Sequence, residues 1–279
     1  MATFETSDGV EINYETWGDD SAPAVVLLHG FTASLRMWQN QVEALSQDYR
    51  VVAPDLRGHG RSGAPEDLAR YSIQRYAEDI RELLDAIGAE LCALVGCSFG
   101  GMIALQFATT WPQRLACLVV SDSSPAYDHP GYDEKFRERE RGMRESEEVV
   151  RQYGTATLGK RLATNVADSF LAEGIRARYA NLDATGYVGA SMARRERPNL
   201  TPILHERITM PVMICNGEDD PVFCALDVMA AELPTARVVA FRGAGHGLPA
   251  VVPQLFTEVL VRFLRDVEDG AAIAGRVRV

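Results

Sequence analysis

Short, continuous apolar runs alternate along this chain with longer stretches whose apolar residues recur at helical spacing. Ala24–Leu28, Arg50–Pro54, Leu91–Val95, Leu115–Ser121, Met210–Cys215 and Arg237–Phe241 read as strands. Most are apolar throughout, as strands covered on both faces should be. Leu35–Leu45, Ile73–Ile87, Met102–Ala108, Cys224–Leu233 and Val252–Val267 read as the helices between them, and Gly88 stops the second. Ahead of this series, Thr3–Ser7 and Val10–Trp17 flank Asp8-Gly9, a tight-turn signal that predicts an antiparallel hairpin. Together these elements predict an α/β fold with a doubly wound, mostly parallel sheet of about eight strands.

Between residues 123 and 203 the alternation breaks. Pro125, Pro130 and Gly131 interrupt the chain, and a heavily charged helical stretch runs from Asp133 to Tyr153. Further amphipathic pieces surround Leu158–Phe170 and Ile175–Leu182. An insertion of this kind is expected to form a helical cap over the carboxyl edge of the sheet, where open α/β sheets bind ligands. The expected organisation is a core from 1–122 and 204–268, a cap from 123–203, and a mobile tail over 269–279.

Composition narrows the function classes. A net charge of −11 argues against nucleic acid or an anionic membrane as the main partner. Five cysteines without paired spacing read as reduced thiols, and Met1–Glu5 lacks the basic start of a signal peptide, so a cytoplasmic location is expected. No apolar run approaches the roughly 20 residues that span a bilayer. The expected state is a monomer or small homo-oligomer. No histidine or cysteine spacing suggests a metal, and no cofactor is called for.

The chemistry concentrates at Gly96-Cys97-Ser98-Phe99-Gly100, set between a strand and a helix. A serine on so sharp a turn is held in a strained backbone with its hydroxyl raised above the sheet. Serine needs a base to be nucleophilic, and His246, in Gly243-Ala244-Gly245-His246-Gly247 after a late strand, should reach the same edge. Asp220, in Glu218-Asp219-Asp220-Pro221, is the expected orienting acid, with Asp122 a second candidate. The backbone N–H groups of Phe31 and Phe99 are the expected donors to an oxyanion, each worth about 3–4 kcal/mol if well placed. Trp38 and Met102, with the two phenylalanines, are expected near the substrate pocket.

These stretches carry a resemblance. With His29-Gly30-Phe31, Met37-Trp38, Asp55-Leu56-Arg57-Gly58-His59-Gly60-Arg61-Ser62, Gly217-x-x-Asp220 and Gly245-His246, the chain resembles the α/β-hydrolase superfamily. The similarity is to 3-oxoadipate enol-lactonases, carboxylesterases and cofactor-free haloperoxidases. It implies hydrolysis of a small-molecule ester or lactone through an acyl-enzyme on Ser98, Asp220 and His246. Alternatives on the same residues are a carbon–carbon hydrolase, a perhydrolase-like haloperoxidase or an acyltransferase, and then a ligand-binding protein without turnover. Two departures stand out. Val251 replaces a glutamate frequent five residues after the histidine, and Phe31-Thr32-Ala33-Ser34 replaces the glycine-rich loop of the carbon–carbon hydrolases.

Several features read as structural. Gly58-His59-Gly60-Arg61-Ser62-Gly63 matches a dinucleotide motif, but Pro65 delays the helix that would have to begin inside it. His29 and His59 read as loop-organising, Cys97 as packing, and the mixed charges of Asp133–Arg151 as a solvated helix face. Arg194, Arg195 and Arg197 could meet a substrate carboxylate, against the plainer reading of solvated surface charges.

Overall fold

The computed structural model describes residues 2–279. Strands β1 (Ala2–Glu5) and β2 (Glu11–Trp17) form the antiparallel hairpin, with Gly9 at φ 77° in its turn. The parallel series follows as β3 (Ala24–Leu28), β4 (Arg50–Pro54), β5 (Cys92–Cys97), β6 (Leu115–Ser121), β7 (Val212–Gly217) and β8 (Arg237–Phe241). Along β3, Val26 and Leu28 face a layer containing α2 (Ile73–Ala86) and α3 (Phe99–Thr110). Val25 and Leu27 face the opposite layer, containing α1 (Gln39–Leu45) and, at its far end of the chain, the closing helix Pro253–Glu268. Both sides of one strand are thus core, which is why it carries no polar residue.

Four helices fall between β6 and β7: α4 (Glu134–Tyr153), α5 (Thr155–Ala163), α6 (Ser169–Ala180) and α7 (Ala184–Arg195). Asp133, Asp168 and Asp183 each accept a free N–H in the first turn of the helix that follows, that of Phe136, Leu171 and Gly186, which sets where α4, α6 and α7 begin. The single piece expected over Leu158–Phe170 is therefore two helices, broken after Ala163. One side of α4 also departs from a solvated face. Glu140 and Glu147 are buried, bonded respectively to Arg194 and to Ser191 and Arg195 of α7. Opposite charges on neighbouring helices neutralise one another there, so a charged periodicity marks a packed face. The core then resumes through α8 (Leu204–Arg207), α9 (Cys224–Glu232), α10 (Leu248–Val251) and the closing helix, now α11.

The spatial strand order is β1-β2-β4-β3-β5-β6-β7-β8 with a ninth strand beyond β8, one more than the eight expected. The ninth is β9 (Gly275–Arg278), an edge strand that lies within the expected tail 269–279 and pairs in parallel with β8. Its exposed alternation of Arg276, Val277 and Arg278 lacks an apolar run, and Arg278 ties it further to Glu218. The order in which parallel strands are added reverses at β3: the path goes outward from β3 to β4, then returns to β5 on the other side. Such a switch leaves a crevice at the carboxyl ends of the two strands, where the loops after Leu28 and Cys97 diverge.

The stretch Asp55–Ser62 closes the floor beside that crevice. Asp55 accepts the N–H groups of Leu35 and Arg61 and the amide of Asn13. Arg57 is fully buried, bidentate to Asp79 of α2 and to Asp8 of the first hairpin. Arg57's hydrogen bond is the main cause that holds Asp8 well below the usual carboxylate range, against a partial burial that raises it. For the deeper Asp79 burial dominates and pushes its carboxyl up despite Arg57 and Arg75. Removing the guanidinium would leave Asp79 buried with Arg75 alone. Arg57→Met is expected to cost about 3 kcal/mol, the lower part of the range for breaking a buried pair, read as a lowered midpoint of urea unfolding.

Candidate active site

Ser98 stands at the junction of β5 and α3 with φ 55° and ψ −112°, outside the regions an L-residue favours. Its neighbours enforce this. A Cβ on Gly96 would lie 2.3 Å from the Gly100 carbonyl oxygen, and one on Gly100 would lie 2.2 Å from that of Leu28. Ser98 N–H donates to Ser121 at 2.8 Å, and Ser123 Oγ donates to the Ser98 carbonyl at 2.8 Å, so the strained turn is pinned from β6.

His246 lies in the loop between β8 and α10. Its Nδ1–H donates to Asp220 Oδ2 at 2.8 Å, and its Nε2 accepts from Ser98 Oγ at 2.9 Å. In that tautomer the free lone pair of the ring faces the serine. Asp220 follows β7 and is buried. It also accepts from Asn216 Nδ2 at 3.0 Å and from Val222 N–H at 3.0 Å. Burial works to raise its pKa, but His246, the Val222 N–H and the charge of Arg139 outweigh it and hold the carboxyl below its ordinary range.

Asp122 sits alongside. Its Oδ2 accepts from Leu248 N–H at 3.0 Å, Ser121 Oγ at 2.5 Å and Cys97 Sγ at 3.6 Å, so it braces the loop carrying His246 and makes no bond to the ring. Burial first, then the charge of Asp220, raises its pKa. Asp122, Asp220 and His246 present ligand atoms within 4.8 Å of one another. Both ring nitrogens already serve Asp220 and Ser98, which is the arrangement of a proton relay.

The loop after β3 comes beside Ser98: a Cβ on Gly30 would lie 3.4 Å from Ser98 Cβ. Among the described residues, the N–H groups of Phe31 and Phe99 make no hydrogen bond. His29 fixes this loop by donating Nδ1–H to Gly30 and accepting Leu56 N–H at Nε2, and burial lowers its pKa. His59 is likewise buried, its ring bonded to the Arg57 carbonyl, with its pKa lowered to about 3 by burial. Both histidines organise loops.

A cavity of about 480 Å³ opens on Ser98 and His246, lined also by Gly30, Phe31, Met37 and Arg178. Phe31 borders it and packs at a tilt against Tyr187 of α7, with ring centroids 4.7 Å apart. Phe99 is fully buried against Tyr76, and Met102 is buried in the same layer. Trp38 lies in the opposite layer against Phe256, away from the cavity. In the turn Leu35–Trp38, Leu35 and Trp38 share the inward side at a spacing of three, which leaves Arg36 and Met37 toward the opening. That spacing was the signal for Met37. Arg139, in contact with His246, had no such signal within the charged stretch.

Residues 23–250 match the family model for the alpha/beta hydrolase fold. A Bacillus subtilis (strain 168) protein, "Putative 2-succinyl-6-hydroxy-2,4-cyclohexadiene-1-carboxylate synthase", is 31% identical over 94% of this chain and 97% of its own length. The 3-oxoadipate enol-lactonase 2 of Acinetobacter baylyi (strain ATCC 33305 / BD413 / ADP1) is 28% identical over 80% of both chains. Among solved structures, a thermophilic esterase from Thermogutta terrifontis superposes with a TM-score of 0.78 at 28% identity, covering 95% of this chain and 97% of its own. Epoxide hydrolase 4 of Mus musculus and a non-heme chloroperoxidase of Streptomyces lividans are also similar to this chain. The chain belongs to the α/β-hydrolase family. No helix among the described residues is long and apolar enough to cross a membrane.

Proposed function

We propose that this chain is a serine hydrolase that cleaves a carboxylic ester or lactone of a small molecule through an acyl-enzyme. The observation that carries this reading is the hydrogen-bonded series from Ser98 Oγ through His246 to Asp220, at 2.9 and 2.8 Å, at the floor of a cavity. His246 takes the Ser98 proton as Oγ attacks the carbonyl carbon, and Asp220 holds the ring in the tautomer that can do so. The oxyanion that forms meets the N–H groups of Phe31 and Phe99. His246 then gives its proton to the leaving oxygen. A water activated by the same nitrogen later releases the acid.

The identity of the nucleophile favours acyl transfer over epoxide opening. Serine attack on an epoxide carbon would leave an ether, which water does not readily cleave, whereas attack on a carbonyl leaves an ester that it does. The inserted helices serve in this reading as a cap, with Phe31 and Tyr187 joining it to the core.

Rapid mixing with a panel of p-nitrophenyl esters, with lactones assayed by ring opening, tests the proposal. A p-nitrophenol burst stoichiometric with enzyme, and an acyl mass adduct on the peptide containing Ser98, are the expected results. Turnover with no adduct on Ser98 after acid quench, together with no burst, would count against the acyl-enzyme.

A further inference from the structure

The nitrogen that must accept the serine proton has a second neighbour. Arg139 Nη2 lies 3.3 Å from His246 Nε2, the same atom that accepts from Ser98. A guanidinium has no lone pair, so its N–H competes with the serine hydroxyl for the Nε2 lone pair. It would also repel the imidazolium that forms during attack. This arrangement opposes the chemistry, and an anion on the substrate would resolve it by drawing the guanidinium away.

The surroundings of Arg139 leave positive charge available. Arg139, Arg194 and Arg197 cluster around one carboxylate, Glu140, which only two of them bond: Arg139 Nη1 bonds its Oε1 at 3.0 Å and Arg194 takes its Oε2. Arg197 bonds only neutral oxygens, those of Ser124, Ala126 and the Arg194 carbonyl, with Tyr127 against its guanidinium. The Nε atoms of Arg194 and Arg197 are buried without a partner. Burial and mutual repulsion lower the pKa values of Arg139 and Arg197, the latter to about 10. Arg194 and Arg197 are therefore buried and not the solvated charges of the plainer sequence reading, while Arg195 pairs with Glu147. Arg36 and Arg178 line the cavity above Ser98, and neither is ion-paired among the described residues, on a chain whose net charge is −11.

We propose that the substrate carries a carboxylate on its leaving-group half and that Arg139 binds it, moving off His246 Nε2 as it does so. This rests on the ester or lactone reading above. The side follows from the chemistry of one atom: His246 Nε2 delivers its proton to the leaving oxygen, and Arg139 abuts that nitrogen. A planar guanidinium fork matches a carboxylate, and the cluster behind supplies charge that Glu140 alone does not neutralise.

Two matched ester pairs test it. The first is 4-(carboxymethyl)phenyl butyrate against its methyl ester, whose methylene keeps the two phenol leaving groups alike. The wild type should prefer the acid by about tenfold to a hundredfold in kcat/KM, the range of a charge-assisted hydrogen bond. Arg139→Met should bring the ratio near one, chiefly through KM, and Arg139→Lys should restore part of it. Comparing two substrates on one variant cancels any general loss of active protein. A wild-type ratio of one or less, or a ratio unchanged in Arg139→Met, overturns the proposal.

The second pair, mono-p-nitrophenyl glutarate and its methyl ester, carries the carboxylate on the acyl half. A preference confined to this pair overturns the placement. If no ester is cleaved, the ester reading fails separately, and calorimetry decides the site. Binding of 4-hydroxyphenylacetate to Ser98→Ala that vanishes in the Ser98→Ala, Arg139→Met double variant sustains the carboxylate site, and no binding to Ser98→Ala overturns it.

Discussion

Ser98→Ala is expected to lower kcat for a cleaved ester by about a millionfold, the loss seen when the nucleophile of a serine–histidine–acid set is removed, while leaving the fold intact. The geometry supports both halves of that expectation. The Ser98 side chain makes its hydrogen bond to His246, whereas the turn itself is held by backbone bonds and by Ser123, which alanine leaves in place. Alanine meets the same φ of 55° as serine, so no new strain is added. The thermal midpoint and near-ultraviolet spectrum should therefore match the wild type. A loss of less than tenfold in a folded Ser98→Ala protein would show that some other group attacks, and with it the acyl-enzyme on Ser98 would fall.

How far this site was legible in the sequence depended on whether the constraint on a residue leaves a distinctive pattern in adjacent positions. Val25 to Leu28 and the Gly96–Gly100 turn announce themselves because the constraint marks consecutive residues: two covered faces make one run wholly apolar, and two backbone contacts that exclude a Cβ leave glycines flanking the serine. The turn motif and the loops that follow strands put Ser98, Asp220 and His246 forward, and the fold brings these three within hydrogen-bonding distance. Arg139 is the contrary case. Its place beside His246 depends on α4 lying over the core, and α4 is held there partly by Glu140 reaching Arg194, 54 residues away. A periodic mixture of charges gives the same sequence pattern whether its partner is water or another helix. Strand β9 was hidden for a related reason, since an edge strand needs only a free neighbour and β8 supplied one. Trp38 was misplaced by its chemistry: an aromatic beside a site invites a binding role, yet the spacing of Leu35, Trp38, Val42 and Leu45 already put it on the core side.

Two aspartates beside one histidine allow the acid to be assigned by experiment. Asp220→Asn is expected to lower kcat by about ten-thousandfold, because an amide in place of the acceptor of Nδ1–H favours the wrong ring tautomer. Asp122→Asn should keep activity within about tenfold, since an amide oxygen can still accept from Leu248 N–H and Ser121 Oγ. Stability should separate them as well. Asp122 is buried with one carboxylate oxygen unpartnered, and burial with the charge of Asp220 raises its pKa in the folded protein. A carboxyl with a raised folded pKa contributes stability that is full below its unfolded value, near about 4, and is lost as pH rises through the folded value. The asparagine variant does not titrate there. Its unfolding free energy relative to the wild type should therefore climb as pH rises from about 4 toward neutrality, then level off. Urea titrations of both proteins across that range would measure it. A folded Asp122→Asn protein that lost a thousandfold in kcat while Asp220→Asn lost little would transfer the acid's role to Asp122, and would mean that the His246 loop turns toward β6 during turnover.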